Sequence, residues 1–488
     1  MNIELDKSSR TPIYMQIVDQ IKSKIIMGEY PHGFTLASER ELSRKLDVHR
    51  NTISKSYKFL KDIGLLKTVH GVSYEVDYQN NKYQTETNKS VVWENVIKAE
   101  YVNQEASFDK LFSKSYEKGN ISFAGGISSL GVYTNENLSE AMNSIMVQGI
   151  KEGFFYSPYQ GDLDLRRMLS VFFRKKGIVA DEEHIQVLGE SNQAIDYLIA
   201  LLIKDGDRVI TEATISPDVS RAIKLAGGII ITVPVDKDGM ICENMEPLIQ
   251  KYNPKFIYVN SSFSDPRGTV LSTKRRKEIL ELSYRYELPI IEDDEASELT
   301  FEAKKIPSLK SLDTGNNVIY IYNFSLSFVP GIGIASVAAS KEIIEGLSYL
   351  VSIRLVSLDW LTQNLLKYFL ESDIFYKKIE EFKRIYRSRR DLMCSYLEKL
   401  REYGITYYKP KGGVYIWCNF PENINVNELV KNGEKRGVSL MPGEVFYPEK
   451  SKKENYIRLN YSFSDEEEIK KGMEIIVDIV LEHLEDSK

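Results

Sequence analysis

Side chains that could contact DNA are concentrated in a short stretch near the N-terminus. Arg40 and Arg50 can neutralise phosphates or form paired hydrogen bonds with guanine, and the short polar residues Asn51, Thr52 and Ser54 follow Arg50. The positive end of a helix that begins at this point also favours a nearby phosphate. The spacing therefore predicts contacts to bases and phosphates from the start of one helix.

The charge of the whole chain limits where nucleic acid can bind. The 488 residues carry a formal net charge of −6, which argues against indiscriminate binding to nucleic acid. We therefore expect the DNA-binding surface to be local. The alternative is that these polar residues form an ordinary solvated helix face.

Residue types that bind metals are present, but their spacing does not indicate a metal site. Cys242, Cys394 and Cys418 lie far apart and form no CxxC pair, and no carboxylate or thiolate spacing supports a site at the histidines. We expect reduced cysteines, no disulfide framework and no metal.

Composition and hydropathy favour a soluble globular protein of the cytoplasm. Hydrophobic residues make up 42% of the chain, and no apolar run reaches the length of about 18 residues that a membrane span needs. The N-terminus lacks the basic and apolar regions of a secretory signal. A chain of this length is expected to form more than one domain.

The elements that must position the polar stretch can be read from apolar spacing. Isoleucines at i, i+4 spacing predict a helix over residues 13–27. Ser38 and Glu41 have the spacing of a capping box, which begins a short second helix. A third helix is predicted over residues 50–63, and two short strands within residues 65–76 form a β-wing. This order is typical of a winged helix-turn-helix.

The same stretch resembles the GntR family of bacterial regulators. The resemblance lies in the run LASERELS at residues 36–43, in VHRNT at residues 48–52 and in the glycine-rich turn before them, and it extends over residues 11–77. Ser38 and Glu41 fit caps better than contacts. The residues that the resemblance implies as DNA contacts are Arg40, His49, Arg50, Asn51, Thr52, Ser54, His70 and Gly71. At His49 the chain departs from the Ser or Thr that is usual in the family.

Beyond the wing the pattern changes. From about residue 120, short apolar runs alternate with helical patterns, which predicts a parallel sheet covered by helices. The strands are predicted at residues 185–189, 208–212, 229–235, 256–260, 289–293 and 318–324. Later strands at 413–418 and 456–462, after long helices, predict a smaller α+β subdomain.

These segments resemble fold-type I aminotransferases and in particular the MocR subfamily, in which a GntR-type reader is fused to such a domain. The motifs that carry the resemblance are YQGDLDLR at 159–166, NQAID at 192–196, DGDRV at 205–209, Pro266-x-Gly268, EDD at 292–294, the Ser325 to Gly331 run, Gly412-Gly413, Pro442-Gly443 and IRL at 457–459. The implied fold is an α/β protein, a winged helix-turn-helix followed by a fold-type I aminotransferase-like α/β domain with a smaller α+β C-terminal subdomain. The expected parts are a DNA-binding domain (1–77), a linker and connecting segment (78–119), a large domain (120–351) and a small subdomain (352–488).

The resemblance also shows what the large domain lacks. Pyridoxal-phosphate chemistry needs a lysine for the Schiff base, a cationic phosphate site and an aromatic lid over the ring. The family's lysine aligns with Leu326, its phosphate-binding arginine with Gly333, and its phosphate-binding turn with Glu190. The ring-stacking tyrosine aligns with Ser216, and the tyrosine near the phenolic oxygen with Glu295. A carboxylate and a phosphate at ~4 Å repel by at least about 1 kcal/mol even in water, so we expect no covalent pyridoxal phosphate and no catalytic residue.

Two family positions are retained. Asp293 aligns with the acid that faces the pyridine nitrogen, although it fits a cap for local backbone donors equally well. Arg458 aligns with the arginine that grips a substrate carboxylate, and a buried structural ion pair is its alternative. With Glu190 and Glu295 facing an ammonium group, these residues predict a cleft for an amino acid, a small amine-bearing acid or a short peptide as effector. An empty cleft kept for folding and dimerisation is the other interpretation.

Three functions remain in competition. The first is a transcriptional regulator that binds a double-stranded DNA operator as a homodimer, with a large domain that dimerises and senses an effector without covalent cofactor. The second is a regulator that binds pyridoxal phosphate non-covalently, and the third is an aminotransferase with an attached DNA-binding domain. The first is expected because Leu326 offers no amine, and Glu190 and Gly333 offer no phosphate site.

Overall fold

The computed structural model describes residues 11–69, 73–78, 116–129, 131–149, 155–302, 306–449 and 455–486, together with a few isolated positions. The chain divides into two units, residues 1–102 and 103–488. Most of the predicted linker, residues 78–119, lies outside the described residues, and the predicted domain limits stay predictions.

The first unit has the predicted order of helices and strands. Its elements are α1 (Ile13–Ile26), α2 (Glu39–Leu46), α3 (Arg50–Asp62), β1 (Leu66–Val69) and β2 (Ser73–Val76). The two strands pair antiparallel as a wing, and α1 and α2 both pack against α3. The apolar residues that the helical spacing turns inward are buried, except for the half-buried Leu46: Ile17, Ile21, Ile25, Leu42, Ile53, Tyr57 and Leu60.

The second unit contains strands and helices in alternation. The strands in chain order are β3 (Ile121–Ser122), β4 (Ile185–Leu188), β5 (Arg208–Glu212), β6 (Ile229–Val233), β7 (Val235–Asp236), β8 (Gly239–Met240), β9 (Phe256–Asn260), β10 (Ile290–Asp294), β11 (Val318–Asn323), β12 (Ala335–Ala338), β13 (Thr406–Tyr407), β14 (Tyr415–Asn419), β15 (Val438–Ser439), β16 (Met441–Pro442) and β17 (Tyr456–Asn460). The helices are α4 (Asn135–Gly149), α5 (Leu163–Lys175), α6 (Ser191–Leu202), α7 (Pro217–Leu225), α8 (Met245–Tyr252), α9 (Thr273–Tyr286), α10 (Leu309–Leu312), α11 (Lys341–Arg354), α12 (Trp360–Glu371), α13 (Ile374–Lys399), α14 (Val426–Lys435) and α15 (Glu466–Asp486).

The large sheet has seven strands within the described residues, in the order β4-β12-β11-β10-β9-β5-β6. The pairs among β11, β10, β9, β5 and β6 are parallel, as predicted. The sequence reading missed β12, which runs antiparallel to both of its neighbours. The segment between β11 and β12 contains no helix, so the chain returns beside β11 in the opposite direction instead of crossing over.

Helices cover both faces of this sheet, so its strands are buried on both sides. Along β5, Val209 and Ile210 belong to apolar clusters on opposite faces, as expected for successive residues of a strand. Helices α5, α6, α11 and α12 contribute to one cluster, and α8 and α9 contribute to the other. This burial explains why the strands appear in the sequence as continuous apolar runs.

The C-terminal part is built on an antiparallel sheet of the order β13-β14-β17-β16. Helices α13, α14 and α15 contribute to the same apolar cluster as β14 and β17. Strand β3 pairs with β15, which joins a segment from before the large sheet to this C-terminal part. In the described part of the chain, no helix combines the length and the apolar composition that crossing a bilayer requires.

Candidate functional site

The start of α3 is formed by residues that the sequence placed at the DNA. His49 is the N-cap of α3, and its Nδ1 accepts a hydrogen bond from the Asn51 N–H at 3.2 Å. A histidine therefore does here the capping that a Ser or Thr hydroxyl does in other helices. Arg50 follows with a side chain that is 66% exposed, and its Nε donates to Glu39 Oε2 at 3.1 Å.

Four further predicted DNA contacts lie on α2 and α3. Arg40 on α2 and Asn51 on α3 are exposed, while Thr52 and Ser54 are half-buried. Ser38 caps α2, because its Oγ accepts a hydrogen bond from the Glu41 N–H at 3.2 Å. The last two predicted contacts, His70 and Gly71, lie outside the described residues.

A cleft opens in the second unit at the carboxyl ends of the parallel strands. Its volume is about 240 Å³, and the ends of β5, β9, β10 and β11 reach it, together with the starts of α6 and α7. This is the position at which open α/β sheets bind ligands. The carboxylates that line it, among the described residues, are Glu190, Glu212, Asp218, Asp265, Asp293 and Glu295.

Arg458 lies in this cleft and already holds a carboxylate. Its Nη1 donates to Asp265 Oδ1 at 2.7 Å, and its Nη2 donates to the Ala124 carbonyl oxygen at 2.5 Å. The guanidinium is 2% exposed and stacks on the Tyr415 ring, 4.5 Å from its centroid. Arg458 therefore forms a buried ion pair within the chain, and its binding of a ligand carboxylate stays a prediction.

Asp293 lies near the end of β10, buried against a tyrosine. Tyr258 donates its hydroxyl hydrogen to Asp293 Oδ2 at 2.6 Å. Burial raises the pKa of Asp293 to about 6, although the hydrogen bond from Tyr258 opposes the shift. The carboxylate is therefore hydrogen-bonded to a side chain of the neighbouring strand β9, and its role towards a ligand stays a prediction.

Glu190 precedes α6, and its carboxylate turns towards the segment after β11. Ser325 Oγ donates to Glu190 Oε2 at 2.9 Å. Burial raises the pKa of Glu190, and hydrogen bonds from Ser325 and Asn323 work in the opposite direction. Gly333 lies directly beside this carboxylate: a Cβ there would overlap Glu190 Oε1 and lie 2.8 Å from the Gly189 carbonyl oxygen. No side chain fits at position 333 while Glu190 keeps this place.

Leu326 and Ser216, at the aligned positions of the Schiff-base lysine and the ring-stacking tyrosine, have structural roles. Leu326 is 1% exposed and belongs to the apolar cluster of the C-terminal part. Ser216 is the N-cap of α7, and its Oγ accepts a hydrogen bond from the Asp218 N–H at 3.3 Å. Both residues therefore contribute to the fold.

Several cleft residues were not predicted from the sequence. Glu212 is 3% exposed, and burial raises its pKa to about 8, while the charge of Arg267 opposes the shift. Glu295, which was predicted, lies in the same cleft, and burial, together with the charges of Asp293 and Asp265, raises its pKa well above its usual range. A signal was present, because Glu212 and Asn260 are the last residues of two predicted strands. In the described part of the chain, no group of His, Cys, Asp or Glu is arranged to hold a metal ion.

Comparisons with known proteins match both units. The profile described as "Bacterial regulatory proteins, gntR family" matches residues 13–76, and the profile "Aminotransferase class I and II" matches residues 129–476. The uncharacterised HTH-type transcriptional regulator YdfD of Bacillus subtilis is 27% identical over 480 residues, with 96% of each chain covered. The HTH-type transcriptional regulator NorG of Staphylococcus aureus is 25% identical, covering 90% of this chain and 97% of NorG.

Enzymes match the second unit. The aromatic-amino-acid aminotransferase 1 of Thermococcus litoralis is 27% identical over 75% of this chain and 88% of its own length. Among solved structures, the α-aminoadipate aminotransferase LysN of Thermus thermophilus, complexed with N-(5'-phosphopyridoxyl)-L-leucine, is 26% identical with a TM-score of 0.75. The match covers 81% of this chain and 99% of LysN.

Proposed function

The chain belongs to the aminotransferase class I and II family and is a GntR-type regulator of the MocR architecture, and we propose that its large domain works without covalently bound pyridoxal phosphate. The observation that carries this proposal is the pair Glu190 and Gly333. A carboxylate fills the place where the resemblance puts the cofactor phosphate, and the position of the phosphate-binding arginine has no room for a side chain. These residues do not fit a phosphate dianion, because like charges repel strongly where water is excluded.

Leu326 supports the same proposal. The resemblance places it at the Schiff-base lysine, and its side chain is buried among apolar residues. An aldimine needs a primary amine, and leucine has none. We therefore propose that the domain is not an enzyme.

A second candidate, non-covalent binding of pyridoxal phosphate, is favoured by one observation. The retained acid Asp293 lines the cleft and accepts a hydrogen bond from Tyr258. An acid in this place could face a pyridine nitrogen. Glu190 argues against this candidate, because its carboxylate would lie beside the phosphate of the bound pyridoxal phosphate and repel it.

An absorption spectrum of the purified full-length protein, with and without added pyridoxal phosphate, tests the proposal. We expect neither the visible band of a protein-bound aldimine nor a change in the spectrum of the added cofactor. A visible band that borohydride converts to a stable adduct would contradict the proposal. A saturable change without such an adduct would favour the second candidate.

We further propose that the regulator binds its operator as a homodimer through the second unit. Apolar side chains are exposed close to one another there: Phe155 and Tyr156 are 76% and 80% exposed, and Val356 is 54% exposed. The Ser157 N–H donates to Ser357 Oγ at 3.0 Å, which holds the two segments side by side. Exposed apolar patches of this kind are typical of protein interfaces.

The predicted amino-acid-like effector also stays a proposal for this cleft. Its carboxylate would have to displace Asp265 from Arg458, since the guanidinium is already paired. A thermal-shift screen of amino acids and short peptides on the parent protein and on Arg458→Ala tests this. A ligand that stabilises both proteins equally does not use Arg458.

A further inference from the structure

The cleft is lined by six carboxyl groups and one cation among the described residues, and the charge of a second cation, Arg267, acts on Glu212. Arg458 is the cationic side chain among the described lining residues, and it is paired with Asp265. Asp218 has a partner in Arg221, whose Nη1 lies 3.6 Å from Asp218 Oδ1. The lining carboxylates for which the described part of the chain provides no ion pair are Glu190, Glu212, Asp293 and Glu295.

Burial makes it costly to ionise these four carboxyl groups. The pKa of Glu212 is raised to about 8 and that of Asp293 to about 6, in each case first by burial. Burial also raises the pKa values of Glu190 and Glu295. A cation placed among them would offset the cost of ionising these groups.

Asn260 provides an independent sign of a missing hydrogen-bond donor. Its side chain lines the cleft and is 9% exposed, and its Oδ1 is buried without a hydrogen-bond partner among the described residues. Asn260 lies opposite Asp293 in the parallel pair of β9 and β10, and β5, which ends in Glu212, is the other neighbour of β9. A buried carbonyl oxygen without a donor is costly, and an ammonium group would supply that donor.

The carboxyl groups are spread along the cleft. Glu190 contacts the segment after β11, whereas Glu212 ends β5, three strands away in the sheet. With strands about 4.8 Å apart, the end of β11, near which Glu190 lies, is separated from the end of β5 by roughly 14 Å. Glu295 follows β10, between them. This arrangement fits a linear molecule with a positive charge at each end better than a single ammonium group.

We propose that the cleft binds a small aliphatic diamine or polyamine. One ammonium group is held by Glu212, Asp293 and the carbonyl oxygen of Asn260, and the other lies towards Glu190. A volume of about 240 Å³ is below the ~300–1,000 Å³ of sites for drug-sized ligands, which agrees with a small ligand. The inference rests on the proposed effector role of this cleft and replaces an amino-acid ligand with a carboxylate-free one, because Arg458 is occupied.

Calorimetric titration of the full-length protein with 1,5-diaminopentane tests the inference. L-Lysine is the matched control, since it is the same molecule with one added carboxylate, and inorganic phosphate and Mg²⁺ are further controls. We expect saturable binding of the diamine, binding of L-lysine weaker by about tenfold or more, and no specific binding of phosphate or Mg²⁺. Equal or tighter binding of L-lysine, equal binding of Mg²⁺, or no binding of the diamine would overturn the inference.

Variants of the cleft locate the binding. Glu212→Gln and Glu295→Gln keep the side-chain shape and remove a charge that is costly to bury, so both variants are expected to fold. Each should weaken diamine binding by about tenfold or more, whereas Glu281→Gln on the exposed surface of α9 should leave it unchanged. Unchanged diamine affinity in both cleft variants would contradict the inference.

Measurements of operator affinity test the effector role separately from ligand binding in the cleft. Calorimetry measures the cleft alone, and a fluorescence binding assay with operator DNA, with and without saturating diamine, measures its effect on DNA binding. Diamine binding without a change in operator affinity would overturn the effector role and leave the ligand class standing. An amino acid that changes operator affinity would overturn the diamine as the ligand class and leave the effector role standing.

Discussion

At the residue scale, charged side chains are exposed in the winged helix-turn-helix, here called the DNA reader, and buried in the cleft. In the reader, Arg50 is exposed and shares its charge with Glu39 in a weak surface ion pair. In the cleft, Glu212 is buried without such a pair, and its environment favours the protonated form. Substitution of Arg50 should therefore weaken DNA binding, and substitution of Glu212 should change how stability depends on pH.

Replacing Arg50 by alanine should weaken operator binding. The loss should be about 1–3 kcal/mol if the guanidinium contacts a base, and binding by the parent protein should fall steeply with salt. Fluorescence anisotropy with labelled operator DNA at several salt concentrations measures both effects. Lys24→Ala is the matched control, because Lys24 also forms an ion pair, with Glu29, but lies on α1. Equal operator affinity in Arg50→Ala and in the parent would refute the assignment.

Replacing Glu212 by glutamine should change how stability depends on pH. The folded-state pKa of about 8 lies above the usual 4.5, so the folded state binds more protons between these values. The stability of the parent should therefore fall as pH rises from about 4.5 to about 8, by up to a few kcal/mol from this group. Glu212→Gln should lose that part of the decrease, which thermal unfolding at pH 5 and pH 8 measures. A parallel pH profile for parent and variant would speak against a proton held at Glu212.

At the element scale, the start of α6 is shaped by the loop that follows β11. Glu190 is the N-cap of α6, and its carboxylate accepts a hydrogen bond from Ser325 in that loop. Gly333 belongs to the same contact, because the carboxylate and the Gly189 carbonyl oxygen occupy the space beside it. Two changes that look independent in the sequence are thus in contact.

Gly333→Ala should destabilise the second unit, and the effect should depend on Glu190. The added methyl group overlaps the carboxylate and a backbone oxygen, which typically costs about 1–3 kcal/mol. Glu190→Ala should remove part of this cost, so urea unfolding of both single variants and the double variant should show coupling. Gly331→Ala is a suitable control, since nothing lies within 4 Å of a Cβ at that position. If the changes in the free energy of unfolding of the two single variants add up to that of the double variant, the contact between positions 333 and 190 is contradicted.

At the scale of the whole molecule, the chain is similar to two groups of proteins, regulators and aminotransferases. The regulators YdfD and NorG match at least 90% of it, whereas the aminotransferases match the second unit. The regulator architecture therefore accounts for the whole chain, and the aminotransferase fold accounts for its larger part. Paired DNA readers would match a repeated or palindromic operator if the larger part is dimeric.

The protein should be a homodimer in solution, and Tyr156→Asp should weaken the dimer. Tyr156 is 80% exposed beside other apolar residues, and a charge buried there would have no partner. Light scattering at micromolar concentration measures the mass. Val179→Asp is the control, because Val179 is 89% exposed elsewhere in the unit. A monomeric parent would contradict the proposal.

The sequence by itself determined the DNA reader, the class of the fold and most strands of the large sheet. Those features depend on short-range spacing, such as the apolar periodicity of α1 and the Ser38 cap, which a single chain displays directly. Only the tertiary structure decided what the retained and replaced residues do. Arg458 and Asp265 are 193 positions apart and Ser325 and Glu190 are 135 apart, so each pair meets only where the folded sheet and its C-terminal part bring distant segments together. The missed strand β12 has the same cause, because its direction is set by its neighbours in space and not by its own four residues.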